Sequence, residues 1–173
     1  MLRREWTGEE IKIPNLYQVL KMYVENVINQ LSLSVKTVFE MIELITEEDL
    51  NFRPIDDKKS IGELAQHLCE LIGADLKIMS GVSQEAMVVY YTEVQCTSLI
   101  EMKKLLQKNL HDLNEHYLKM NRQDLFEEVT SYWGLKYSRF EWLLEILVHF
   151  THHRAQLHTL LAQKKGKINI ALF

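Results

Sequence analysis

Apolar residues recur along this chain in four long runs at spacings of three and four, the mark of helices with one buried face. The first run starts at Leu16 and continues through Leu20, Tyr23, Val27, Leu31, Val35, Val38, Ile42 and Ile45. Pro14 suits the first turn of that helix, and residues 1–13 ahead of it read as a loose arm. A polar link from Thr46 to Lys59 follows, in which Pro54 keeps the helix from continuing. The second run is Ile61, Leu64, Leu68, Leu71, Ile72 and Met79, opened by the capping box Ser60-Ile-Gly-Glu63 and closing near Ser80-Gly81. Residues 82–96 predict a short extended piece or a loop packed over the body, centred on Met87-Val-Val-Tyr-Tyr91. A third helix is expected from about Thr97 to Met120, with Leu99, Met102, Leu106, Leu110, Leu113 and Tyr117 facing inward. Residues 121–137 form a connection where Gly134, between Val129–Trp133 and Leu135–Tyr137, permits a small β-hairpin. Ser138 and Glu141 then cap a fourth helix that stops at Gly166, and residues 167–173 trail off as an apolar tail. Four long helices with long connecting loops predict a single all-α domain, an up-down four-helix bundle.

Composition narrows the function more than it alters the fold. At 173 residues the chain is long enough for a sizeable core, and six Gly and two Pro argue against an all-β fold. A net charge of −4 gives no electrostatic case for nucleic acid or an anionic membrane. No stretch approaches the roughly 18 apolar residues of a membrane span, and the first ten residues do not read as a secretory signal. Two unspaced cysteines, Cys69 and Cys96, fit a reducing cytoplasm.

Candidate chemistry concentrates on the fourth helix. With His149 as zero on a helical wheel, Trp142, Ile146, Phe150, Leu157 and Leu160 span roughly 20 to 100°, and His153 falls near 40°. His149 and His153, four apart, therefore stack at the edge of the apolar stripe. On the second helix His67 occupies a matching rim position beside Leu64 and Leu71. Three neutral imidazoles suit zinc, nickel, copper or iron, and three protein ligands with an open position mark a catalytic zinc site. The alternative is that each histidine is a rim residue satisfied by a hydrogen bond. Periodicity leaves both open, because it does not establish that the two helices face each other.

Other polar residues offer less. Glu145 and Gln156 lie within a turn of the pair, placed to orient water or substrate or simply to face solvent. His152 reads as solvated or as a group behind a ligand, His158 points elsewhere, and His111 and His116 read as surface residues. Cys69 lies about 200° from His67 and reads as a small buried hydrophobe. Arg154, near 140°, is placed to tie down another helix. Aromatic core packing is the expectation for Tyr90, Tyr91, Trp133 and Tyr137, rather than a pocket mouth. Gly-rich phosphate loops, a G-x-S-x-G elbow and an H-E-x-x-H pair are absent. The E-x-x-H spacing of di-iron bundles is absent too, which disfavours that chemistry.

Two stretches carry a resemblance. Glu48-Asp-Leu-Asn-Phe-Arg-Pro54 with Ser60-Ile-Gly-Glu-Leu-Ala-Gln-His67-Leu, and Trp142-Leu-Leu through His149-x-x-x-His153-Arg-Ala-Gln156-Leu, resemble the DinB/YfiT-like family of bacterial four-helix proteins. The resemblance implies a metal triad on His67, His149 and His153, with zinc or nickel as the divalent ion. It also implies a homodimer acting on a small-molecule substrate, as an S-transferase that activates a bacterial low-molecular-weight thiol. A metal-dependent hydrolase, or a non-enzymatic binding protein induced by stress or DNA damage, are the alternatives it leaves. Where the family usually has Gly after His-Arg, this chain has Ala155, away from the ligand face.

Overall fold

The computed structural model describes residues 16–172, so the arm expected at 1–13 and Pro14 lie outside the described residues. Four long helices form the body: α1 (Leu16–Leu44), α2 (Ile61–Met79), α4 (Leu99–Leu118) and α6 (Arg139–Lys165). Two shorter ones, α3 (Gln84–Glu93) and α5 (Arg122–Phe126), lie in the connections, and β1 (Glu128–Thr130) pairs antiparallel with β2 (Lys136–Ser138). The all-α bundle and the hairpin are as the patterning predicts.

Burial along α1 follows a seven-residue repeat without a break: Val24, Ile28, Leu31, Val35, Val38, Ile42 and, just past the end, Ile45. Tyr23, expected in that line, is instead half exposed, because the repeat selects its neighbour Val24. Helix α2 is buried nearly all round. Besides the six expected apolar residues it buries Ala65, Cys69, Ala74 and Ile78, and it carries the polar Gln66, Glu70 and Asp75 into the interior. Each buried polar group needs a partner. Gln66 donates to Glu70 at 2.9 Å and to the Val94 carbonyl at 3.0 Å, and its own oxygen accepts from the Cys96 amide.

Specific contacts fix the directions of the helices. Gln66 meets the segment just before α4 while Tyr117, near the end of α4, meets Met79 at the end of α2, so these two helices run parallel. Tyr117 donates to the Arg139 carbonyl at the start of α6, making α4 and α6 antiparallel. Arg154 donates to Ser34, and Lys165 pairs with Asp49 just beyond α1, so α1 and α6 run together. The bundle therefore runs up, down, down, up, not in the strict alternation of the expected up-down bundle. The reason is that the 80–98 connection carries the chain back along the whole of α2, so that α4 runs parallel to it.

That connection is where the sequence expectation fails. Residues 84–93 are neither extended nor a bare loop but the helix α3, whose N-cap Ser83 accepts from the Ala86 amide. Met87 and Tyr90 are buried and Tyr91 is partly so, while Val88 and Val89 between them are exposed, so no regular apolar stripe announces it. Gly73 of α2 makes room for it: a Cβ there would stand 2.4 Å from the Tyr90 hydroxyl and 2.6 Å from Asn109 Oδ1. Through that gap Tyr90 donates to the Glu70 carbonyl and Asn109 to the Cys69 carbonyl.

The C-terminal tail does not trail off. Ile168, Ile170 and Leu172 pack against the core, and the Leu172 carbonyl accepts from Arg154 at 3.1 Å. Arg154 thus ties α6 both to α1 and to the tail, as its angle on the wheel suggests. Among the aromatics Tyr90 is buried, but Trp133 is half exposed at the hairpin and is not core. Among the described residues no helix is long and apolar enough to cross a membrane.

Candidate metal centre

Because α2 and α6 run antiparallel and share a long contact, the rim positions of the two stripes meet. His67 of α2 lies 5.7 Å from His149 and 4.4 Å from His153 between ring centroids, and the last two are 4.9 Å apart. One nitrogen from each of the three lies within 4.8 Å of the other two. Bonds near 2.0–2.1 Å from three imidazoles to one ion span such a triangle. All three are half-buried at the bundle's edge.

Each ring has its Nδ1 turned toward the protein. His149 Nδ1 lies 3.1 Å from Asp75 Oδ2, and His153 Nδ1 lies 2.8 Å from Gln156 Oε1. His67 Nδ1 is 3.6 Å from the buried Glu70 carboxylate, a longer approach. An acceptor on Nδ1 places the proton there and leaves Nε2 with its lone pair, the form a metal ligand must have. Three imidazoles, two of them with an acceptor on Nδ1, are a donor set that fits a divalent metal ion.

The electrostatics pull the two α6 rings apart. The Asp75 hydrogen bond raises the pKa of His149 against the effect of burial, with Glu145 adding to the rise. Burial lowers that of His153 to about 4, overcoming the Gln156 bond, and the neighbouring imidazoles push the same way. His153 is therefore neutral at pH 7. Glu145 lies 3.9 Å from His149 Nδ1, and burial together with the Asp75 charge raises its carboxyl above the usual range.

Of the two residues expected to orient water or substrate, Gln156 has both ends engaged within α6. Its oxygen meets His153, and its Nε2 lies 2.9 Å from His152 Nε2. It holds rings rather than water. His152, read as solvated, is exposed on one side but closes this chain of contacts. Glu145 keeps one buried oxygen, Oε2, without a hydrogen-bond partner. His116 is a correction: it is half-buried, its Nε2 is enclosed without a partner, and burial lowers its pKa, whereas His111 is exposed as expected.

Asp75 and Glu70 were not legible as site residues, although Asp75 carried a signal. Eight residues beyond His67, it falls near 80° on that wheel, inside the apolar stripe. An acid there is buried, and a buried carboxylate requires a partner. Asp75, Glu145 and His149 also form a second group with ligand atoms within 4.8 Å. It shares His149 Nδ1 with the Asp75 hydrogen bond, so here it acts as backing for the three-histidine group.

A groove of about 670 Å³ adjoins the centre, between the 54–59 link and α6. His152, His153 and Gln156 line one end, and Ala155, expected away from the ligand face, lines its wall.

The DinB family model matches residues 22–166. The chain is similar to a solved structure from Exiguobacterium sibiricum 255-15 assigned to the DinB family, at 31% identity, a TM-score of 0.77, and coverage of 87% of this chain and 97% of that one. It shares its fold with DinB-like proteins from Bacillus cereus (16% identity, TM-score 0.65, 85% and 95% covered) and Bacillus subtilis (14%, 0.63, 84% and 96%). No match to the chain is found among curated proteins.

Proposed function

The chain belongs to the DinB family, and from that premise we propose that it is a metal-dependent S-transferase acting on a small molecule with a low-molecular-weight thiol. The observation that carries the reading is the convergence of His67, His149 and His153 beside an open groove. A divalent ion such as zinc or nickel on these three residues would supply Lewis acidity that lowers the pKa of a thiol from about 8.5.

The remaining work falls to the chain. Asp75 holds the His149 ring with its Nδ1–H outside the centre, and Gln156 does the same for His153. Burial keeps His153 unprotonated, so a ligand nitrogen is not lost to a proton at neutral pH. The groove brings an electrophilic carbon to the thiol sulfur. A C–S bond forms there, the leaving group departs with its electron pair, and the thiol proton passes to solvent or Glu145. In the same reading the protein is a cytoplasmic homodimer.

The test is a thiol-conjugation assay. Zinc- or nickel-loaded protein, cysteine as the thiol and monochlorobimane as the electrophile should give conjugation well above the uncatalysed rate, lost in His153→Ala. Hydrolysis is the second reading, favoured by the unpartnered buried oxygen of Glu145. Turnover of p-nitrophenyl acetate without any thiol, abolished by Glu145→Gln, would select it. Metal binding with no turnover of either kind would select a binding protein instead.

A further inference from the structure

The groove has a definite polarity along its length. Asp75 meets His149 and His67 meets His153, so α2 and α6 pass each other in a fixed antiparallel register. Continuing that register sets Lys59, just before α2, beside Gln163, about 15 Å from His153 at 1.5 Å per residue. Both residues line the groove, and so does Lys58. One end therefore opens on His152 and on His153, the member of the three-histidine group that lines the groove. The other opens on two ammonium groups, with the Asp57 carboxylate and solvent-facing Ile55 beside them.

Between these ends the wall is apolar. Leu64 and Leu160 rise from the two helices, Ala155 adds a methyl, and Pro54 and Ile55 close the side formed by the link. Ile55 is 56% exposed, a large hydrophobe on the rim with nothing over it. Among the lining residues at the far end two lysines face one carboxylate, Asp57, which leaves one net positive charge. Asp57 lies 3.6 Å from Lys58, while the nearby Glu63 is occupied by Arg53 at 2.6 Å and by the Ser60 amide. Lys59 makes no ion pair within 4 Å among the described residues, although its charge also acts on Glu63. A volume near 670 Å³ falls within the range of small-molecule sites.

We propose that this groove is the acceptor subsite of the centre and takes an elongated apolar molecule ending in an anionic group, a medium-chain carboxylate being the simplest case. The anion sits at Lys58 and Lys59, the apolar body lies along Leu64, Ala155 and Leu160, and the opposite end reaches His153. The assignment of that opposite end as the reacting one rests on the S-transferase reading; the binding polarity does not.

Isothermal titration with octanoate, octan-1-ol and octylammonium tests the polarity, on protein stripped with EDTA and on zinc-loaded protein. Octanoate should bind one site per chain about tenfold more tightly than either chain-matched control, the scale expected from two partly exposed charge contacts. Lys58→Glu with Lys59→Glu should erase that preference while leaving zinc stoichiometry and helix content unchanged. Thr159→Trp, at an exposed position in the groove wall, should block octanoate without touching the lysines. Equal affinity for the three probes, a preference that survives the charge reversal, or unaltered binding in Thr159→Trp would each overturn the proposal. A protein that binds octanoate as described but holds no zinc would sink the metal reading and leave the groove assignment standing.

Discussion

At the scale of single residues, the centre depends on groups that touch no ligand. Asp75 is buried and its oxygen stands 3.1 Å from His149 Nδ1. Asp75→Asn keeps the shape and removes the charge, so the zinc dissociation constant should rise roughly 10- to 100-fold, the usual cost of losing such a partner. Competition with a chromophoric chelator measures this directly, and a change below twofold would make Asp75 a packing residue only. The histidine pair on α6 was readable because two imidazoles four apart share a face whatever the tertiary structure. The partnership of His67 with them was implied by the family resemblance but not by periodicity, because it depends on the register of two helices separated by 59 residues of chain, 80–138. Glu70 stayed hidden for the same reason: its position on the helix rim says nothing until the ring of His67 is placed.

At the scale of elements, local rules explain where helices start and stop. Ser60 with Glu63 and Ser138 with Glu141 form the capping boxes that their spacing predicts, and Gly166, at φ 80°, ends α6. Ser138→Ala should lower stability by about 1 kcal/mol in urea unfolding, within the range for lost N-caps. Gly73→Ala should cost more, about 1–3 kcal/mol, because the added methyl meets Tyr90 and Asn109, both buried and hydrogen-bonded to the backbone it would cover. Equal stability of the two proteins would mean that α3 is free to move away. Helix α3 escaped the sequence pattern for a physical reason. It packs on the body through Met87 and Tyr90, with Tyr91 partly buried beside them, and the valines between face outward. With so narrow a contact, periodicity gives no stripe to find.

At the scale of the whole molecule, the up-down-down-up order sets α2 between α4 and α6 and makes it the buried helix from which the site is built. Apolar spacing revealed the four long helices, but not their directions, which are set by contacts such as Tyr117 with Arg139 and Arg154 with Ser34. The end of α6 is held to the first link by Lys165 and Asp49, 2.5 Å apart. Burial pushes the Asp49 carboxyl up, but Lys165 and the Thr46 donors outweigh it and hold it at about 2, below its ordinary 3.8. A depressed carboxyl stabilises the fold above its unfolded value and stops doing so as pH falls through the folded one. The stability difference between wild type and Asp49→Asn should therefore be constant from pH 5 to 7 and shrink from about pH 4 toward 2. Urea midpoints measured across that range check it, and a difference independent of pH would remove the ion pair from the account. The central claim, that three imidazoles from α2 and α6 hold one ion, is tested by metal analysis of protein purified without a nickel column and then exposed to zinc. Wild type should carry one ion per chain and the His67, His149, His153 triple alanine variant none. Equal metal in the two, or none in the wild type, would contradict it.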